Sequence, residues 1–325
     1  MNTLKLKITS RSIYDELALR GIDVSVDEGL KAPLLTFMYN DRVRSIAGAN
    51  PDISSATSVT IANNKRLTYA LASRYTSIVV PATITYHDDT QAADFLRQYG
   101  RVVVKPVDGA HGNGVTTNVT DSATMTEAIE TAKLHSDSQI ILLQEFVTGL
   151  DMRVLVIDGE CVGAVRREPA SVTGDGVHTV QELIQIENSH NPDRGEVAYT
   201  AKMNKIDLGA VARYLGSDEL QVVPKRGELT QVVGTANIGT GGRAVECLQA
   251  LPKAMIRHAT EIARVGGMFI CGVDFLYDED HGEWRLIEIN SSPSFGLHMM
   301  PSEGVPIPDL AHHYIDKLLA IYNKS

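Results

Sequence analysis

Two runs of alternating polar and apolar residues near the end of the chain, 271–277 and 283–290, flank the polar segment Asp278-Glu279-Asp280-His281-Gly282 and read as a β-hairpin. With the turn centred on His281, Asp274 stands directly opposite Glu288. Asn290 shares the Glu288 face, because side-chain direction repeats every two residues. Carboxylates opposed across a ladder repel each other, so the pattern calls for a cation between them. Hard oxygen donors of this kind suit Mg²⁺, which takes one or two carboxylates together with water and the phosphates of a nucleotide. A solvated hairpin face carrying unrelated acids is the competing reading, and the rest of the chain has to discriminate.

Upstream, Val102-Val103-Val104-Lys105-Pro106 ends a β-branched strand, and Asp108-Gly109-Ala110-His111-Gly112-Asn113-Gly114 links it to the next. Gly109, Gly112 and Gly114 let backbone N–H groups approach an anion, and Lys105 would neutralise part of a phosphate charge. His111 reads either as a phosphate contact or as a solvated loop residue. The loop is not a Walker A sequence, since no Gly-Lys-Ser/Thr follows, and not a dinucleotide fingerprint, since the spacing and the following helix are missing. A flexible hairpin loop is the alternative, and it leaves a lysine among valines in need of a partner. Glu145, Val147 and Asp151 lie in a segment that offers acids and backbone groups to a purine edge and a ribose, or else simply ends a strand in a turn. Arg166, Arg167 and Arg243 are suited to bidentate contacts with a carboxylate or phosphate, or are surface charges.

These groups need elements to hold them. Residues 4–8 alternate as a half-buried strand does, a helix follows over 10–20 with Ile13 and Leu17 in phase, and two β-prone runs flank Asn40-Asp41-Arg42 as a hairpin. Residues 1–62 thus form a short N-terminal α/β unit, hardly stable alone. Residues 63–147 add a helix through Ala70, Leu71 and Arg74, a strand over 78–81, a helix capped by Asp88-Asp89, and strands over 101–107 and 115–119. A helix from Asp121-Ser122 and a strand over 140–146 complete that α+β unit. Residues 148–325 open with a hairpin turned at Asp158-Gly159 and close with a helix over 253–265 and the carboxylate hairpin. Within them the polar stretch 187–225 reads as an insertion or a mobile lid.

A net charge of −10, one Trp and the absence of a lysine or arginine block argue against nucleic acid or an anionic membrane as partner. No stretch approaches the roughly 20 apolar residues of a membrane span, and the first residues alternate charge instead of opening a secretory apolar run. The three cysteines, Cys161, Cys247 and Cys271, form no CxxC pair, so reduced thiols in a cytoplasmic protein are expected.

Taken in order, Lys65, the Val104-Lys105-Pro106 strand end, the glycine loop, Gln144-Glu145-Phe146-Val147, Gly272-Val273-Asp274 and Glu288-Ile289-Asn290 resemble the ATP-grasp superfamily of ADP-forming carboxylate–amine ligases. The run Arg166-Arg167-Glu168-Pro169-Ala170, the 174–180 segment and Asn237 with Thr240-Gly241-Gly242 are similar to the ATP-grasp domains of cyanophycin synthetase and bifunctional glutathione synthetases. The resemblance runs from residue 63 to the C-terminus. It implies an α+β ATP-grasp fold in which two subdomains clasp ATP, 63–147 as the central lid and 148–325 as the metal-bearing part.

The resemblance further implies that Lys65 and Lys105 bind phosphates, that the glycine loop with His111 closes over them, that Glu145 and Val147 hold adenine, and that Asp151 takes the ribose. Asp274, Glu288 and Asn290 would carry Mg²⁺, or Mn²⁺ in its place. Arg153, Arg166, Arg167 and Arg243 would grip a substrate carboxylate or a tetrahedral oxyanion. The implied reaction joins an amino acid or small peptide to an amine through an acylphosphate, in a homodimer or homotetramer. Gly272 stands where D-alanine ligases carry an arginine, which disfavours that substrate class. The extra domains of cyanophycin synthetase and the bifunctional enzymes are absent, so polymerisation and the first step of glutathione synthesis are not expected. An acid–thiol ligase or carboxylase on the same fold, and an ATP-binding regulatory module without turnover, are the alternatives.

Overall fold

The computed structural model describes residues 6–27, 32–108, 114–195, 201–234, 236 and 238–324. Its first sheet runs β1 (Val24–Asp27), β2 (Leu34–Tyr39), β3 (Arg42–Ala47) and β4 (Asn50–Pro51) in spatial order, antiparallel throughout. Asn40 and Asp41 both take positive φ, 51° and 56°, the geometry that lets a two-residue turn follow the twist of its strands. The helix before this sheet, α1 (Ile8–Leu19), begins earlier than the sequence suggests. Residues 6 and 7 are not in a strand, and residues 4 and 5 lie outside the described residues. Three apolar positions are too few to separate a period of two from a helical start, and Ile8 packs against Gly296 near the other end of the chain.

Helices α2 (Ala56–Ala62) and α3 (Lys65–Tyr75) follow, the latter capped by Asn64, whose side chain accepts from the Leu67 N–H at 3.1 Å. The stretch 78–81 is not a ladder strand; one carbonyl, Val79 O, accepts from the Leu286 N–H, and Pro81 has no N–H to give. The strand comes two residues later, β5 (Thr83–Thr85), in a four-stranded sheet with β6 (Val102–Pro106), β7 (Thr116–Val119) and β8 (Ile141–Glu145), in the order β5-β8-β6-β7. Helices α4 (Asp89–Tyr99) and α5 (Ser122–Leu134), capped by Asp88 and Asp121, cover this sheet with Phe95, Leu96, Met125 and Ile129. That core is separate from the others.

The largest sheet is antiparallel in the order β15-β10-β9-β16-β17, built from β9 (Leu150–Ile157), β10 (Glu160–Glu168), β15 (Arg243–Glu246), β16 (Ile270–Asp278) and β17 (Glu283–Asn290). Between β10 and β15, residues 170–233 hold β11 (Ser171–Thr173), paired with β14 (Leu229–Gln231), the short β12 (Arg194–Gly195) and β13 (Met203–Asn204), and helices α6 (Val180–His190) and α7 (Leu208–Leu215). The polar stretch 187–225 lies within this unit, which has a core of its own around Val172, Val180, Ile184, Val211 and Val232.

Alternation along β9 and β16 separates two faces. Met152, Val154, Val156, Val273 and Phe275 pack on α8 (Lys253–Val265), joined by Ala62 and Ala72 of α2 and α3. Leu155, Ile157 and Ile270 pack on the other side against the first sheet, α1 and α10 (Leu310–Tyr322). All three cysteines are free thiols, and burial pushes that of Cys271 up to about 12. No helix among the described residues is long and apolar enough to cross a membrane.

Candidate active site

Ladder register creates the site. From the tip of the last hairpin, Tyr277 pairs with Trp284 and Phe275 with Leu286; a bulge then inserts Ile287, and Asp274 meets Glu288. Without the extra residue Asp274 would face Ile287 and the Glu288 side chain would turn to the opposite face. The Asn290 amide nitrogen lies 3.3 Å from Asp274 Oδ2 and 3.5 Å from Glu288 Oε1, so the three oxygen-bearing side chains converge.

The protein meets the expected repulsion with its own cations. Asp274 is 1% exposed, and Arg153 from β9 holds it by both oxygens, Nε to Oδ1 at 2.7 Å and Nη2 to Oδ2 at 2.6 Å. Arg167 from β10 adds a contact to Oδ2 at 2.9 Å. Lys65, in the first turn of α3, lies 3.4 Å from Glu288 Oε2. Burial opposes the Glu288 charge, but Lys65, Arg153, Arg167 and Lys105 outweigh it and hold the carboxyl down at about 2. Gly272 has a local reason to lack a side chain: a Cβ there would sit 3.3 Å from Arg153 Cδ and Nε. The position where the sequence reading missed an arginine is crossed by one from the neighbouring strand.

Lys105 approaches from β6 of the smaller sheet. Its ammonium is buried and donates to Gln144 Oε1 at 2.8 Å and to the Tyr69 hydroxyl at 3.1 Å, both neutral. Desolvation pulls its pKa down to about 8, against a weaker opposing pull from Glu288. The two lysines are therefore brought toward the same carboxylate from different elements, Lys65 from helix α3 and Lys105 from strand β6.

Several sequence-derived assignments look different in three dimensions. Asp151 does not stand free for a ribose: Arg167 grips it through Nε at 2.8 Å, and burial pushes its pKa up to about 6. Arg166 and Arg243 are not gathered with Arg153 and Arg167. Strand alternation turns them to the opposite face, where Arg166 lies 2.7 Å and Arg243 3.8 Å from Glu168, and Arg243 2.8 Å from Glu303. Gly114, at φ +69°, packs against α5, where a Cβ would come within 2.8 Å of His135. Gly109, His111, Gly112 and Asn237 lie outside the described residues. Glu145 and Phe146 spend their N–H groups on Ala82 and Arg101, while the Val147 N–H makes no hydrogen bond among the described residues. Ser291 and Ser292 tie the end of β17 to Asn63 and Ala49.

Two residues near the site escaped sequence reasoning. Tyr69 bridges Lys105 to β17, and its one sequence signal is its spacing four residues after Lys65, on the same helix face. His298 of the short helix α9 (Gly296–Met299) is buried with neither ring nitrogen hydrogen-bonded among the described residues; burial, aided by Arg153, lowers its pKa to about 3. A lone histidine in an apolar run carries no signal of its own.

Two sheets converging on a pair of lysines and a carboxylate hairpin have the arrangement of an ATP-grasp fold, and comparisons with known proteins agree. The family described as "Prokaryotic glutathione synthetase, ATP-grasp domain" matches residues 69–177. Cyanophycin synthetase from Geminocystis herdmanii is 34% identical over 241 residues, which is 70% of this chain and 27% of that protein. The glutathione biosynthesis bifunctional protein GshAB of Clostridium perfringens is 28% identical over 92% of this chain and 39% of its own length. Among solved structures, a bifunctional glutathione synthetase from Pasteurella multocida superposes with a TM-score of 0.67 at 24% identity, covering 97% of this chain and 44% of that one. The chain has the ATP-grasp fold, and it spans between about a quarter and two-fifths of the length of these curated relatives.

Proposed function

We propose that the protein is an ATP-dependent, ADP-forming carboxylate–amine ligase acting on an amino acid or small peptide in the cytoplasm. The observation that carries this reading is the meeting of Asp274, Glu288 and Asn290 with Lys65, and with Lys105 from the other sheet. Such a grouping of charges suits a polyphosphate that needs both a divalent ion and fixed ammonium groups. The named relatives, which make glutathione or cyanophycin, favour amino-acid or peptide substrates.

The donor set fits a magnesium-type ion: it consists of hard oxygens only, and turning the Asn290 amide presents its oxygen to the same point. Asp274, Glu288 and Asn290 would hold the ion, whose chemistry is to spread charge on the transferring phosphoryl group. In the proposed reaction a substrate carboxylate oxygen attacks the γ-phosphorus and ADP leaves. The amine then attacks the acyl carbon, phosphate leaves, and a proton is lost from nitrogen. Lys65 and Lys105 fix the phosphates, and Arg153 and Arg167 hold Asp274 in place. The Glu145–Val147 edge, with its open N–H, is assigned to adenine, and residues 63–147 to the lid subdomain. Exclusion of water from the acylphosphate falls to that lid and the 170–233 unit.

The test is release of ADP with pooled amino acids and amines, followed by product mass. A new amide is the expected result, and no ADP with any pair overturns the reading. Glu288→Gln combined with Asn290→Ala is expected to abolish turnover while the unfolding transition persists. Unchanged turnover would remove the metal assignment.

A further inference from the structure

Tyr69 occupies the junction between the sheet that carries Lys105 and the strand that carries Glu288. Its hydroxyl donates to Ile287 O at 2.6 Å and accepts from Lys105 Nζ at 3.1 Å and from Gln144 Nε2 at 2.9 Å. A phenol has one donor and two acceptor sites, so its capacity is full. Ile287 is the extra residue of the bulge that turns Glu288 toward Asp274, and the carbonyl Tyr69 takes belongs to it. Gln144 is fixed in turn: its oxygen receives Lys105, and its nitrogen also donates to Thr83 Oγ1 at 2.9 Å. Lys105 has three N–H groups and spends two on these partners. Among the described residues the third has no acceptor.

We propose that Tyr69 is a positioning residue for nucleotide phosphate: one hydroxyl holds the bulge that aims Glu288 and, from the other side, the ammonium of Lys105, fixing the gap that a polyphosphate must span. A phenyl ring in its place would fill the same volume and hold neither group. The inference rests on the ATP-binding reading above and assigns Tyr69 no contact with substrate.

The experiment is calorimetric titration of the full chain with a non-hydrolysable ATP analogue and Mg²⁺, for wild type, Tyr69→Phe, Lys105→Met and the double variant. Tyr69→Phe is expected to weaken binding about tenfold, the scale of one hydrogen bond to a charged group. In the Lys105→Met background the same change is expected to cost less than about threefold, because the two act as a unit. Equal losses in both backgrounds, or no loss in the first, overturn the proposal while leaving the ligase reading intact. A wild type that binds no nucleotide overturns both. Should Tyr69→Phe lose its cooperative unfolding transition, Gln144→Met replaces it in the same cycle, with the same coupling to Lys105 expected and additivity again fatal.

Discussion

Asp274 in the large sheet and Lys105 in the small one are both buried charges, and the protein treats them oppositely. Asp274 receives a guanidinium fork from Arg153 and a further contact from Arg167. Lys105 receives only a phenol and an amide oxygen, with its nearest anion acting at a distance. A paired buried ion is stable as long as both partners remain, whereas a buried ion with neutral partners stores an unmet demand for opposite charge. The first arrangement fixes where the carboxylate stands. The second suits a binding group, because an arriving phosphate supplies what the protein withholds.

Removing one partner from the saturated region should have the largest effect. Arg153→Met leaves Asp274 buried with one cation and is expected to cost ~3–5 kcal/mol in urea unfolding. A loss below about 1 kcal/mol would show that the pair is not dry. The mirror change, Lys105→Met, is expected to raise stability by ~1–3 kcal/mol at pH 7 while nucleotide affinity falls, since it removes an ammonium that folding desolvates. A large destabilisation would erase the contrast.

The same lysine gives a pH signature. Its pKa is about 8 folded against 10.5 ordinarily, so between these values the unfolded chain binds more protons. Wild-type stability should therefore gain from this group as pH rises from about 8 toward 10.5, and the advantage of Lys105→Met should shrink over that window. Nucleotide affinity of the wild type should decline above about pH 8 as the ammonium is lost, and titrations at pH 7 and 9 check the direction. The smallest effect is expected for Gly272→Ala, which must push Arg153 aside by a few tenths of an ångström. A cost of ~1 kcal/mol in the same unfolding assay is anticipated.

Much of the frame was legible because it is local. The turns at Asn40-Asp41 and Asp158-Gly159, the aspartate caps of α4 and α5, and the alternation of β9, β10 and β16 need only neighbouring residues to be read. Local reasoning failed where the decisive partner is remote or a signal is short. Ile8, the first residue of α1, packs beside the distant Gly296, and residues 78–81 look like a strand until their pairing partners are sought. The four arginines illustrate the limit. Residue type marked them as anion-binding, but the pairing of β15, β10, β9 and β16 divides them between two faces.

The hairpin shows where the boundary lies. Period-two alternation and a polar turn already specify two strands with acids on them, since each side chain's direction follows from its own backbone. A single bulge at Ile287 decides that Glu288 faces Asp274, and folding decides that Arg153, 121 residues before Asp274, and Lys105 on another sheet come to meet them. Pairing of distant strands depends on which hydrophobic faces bury one another, and that is a property of the assembled core, not of any stretch of the chain.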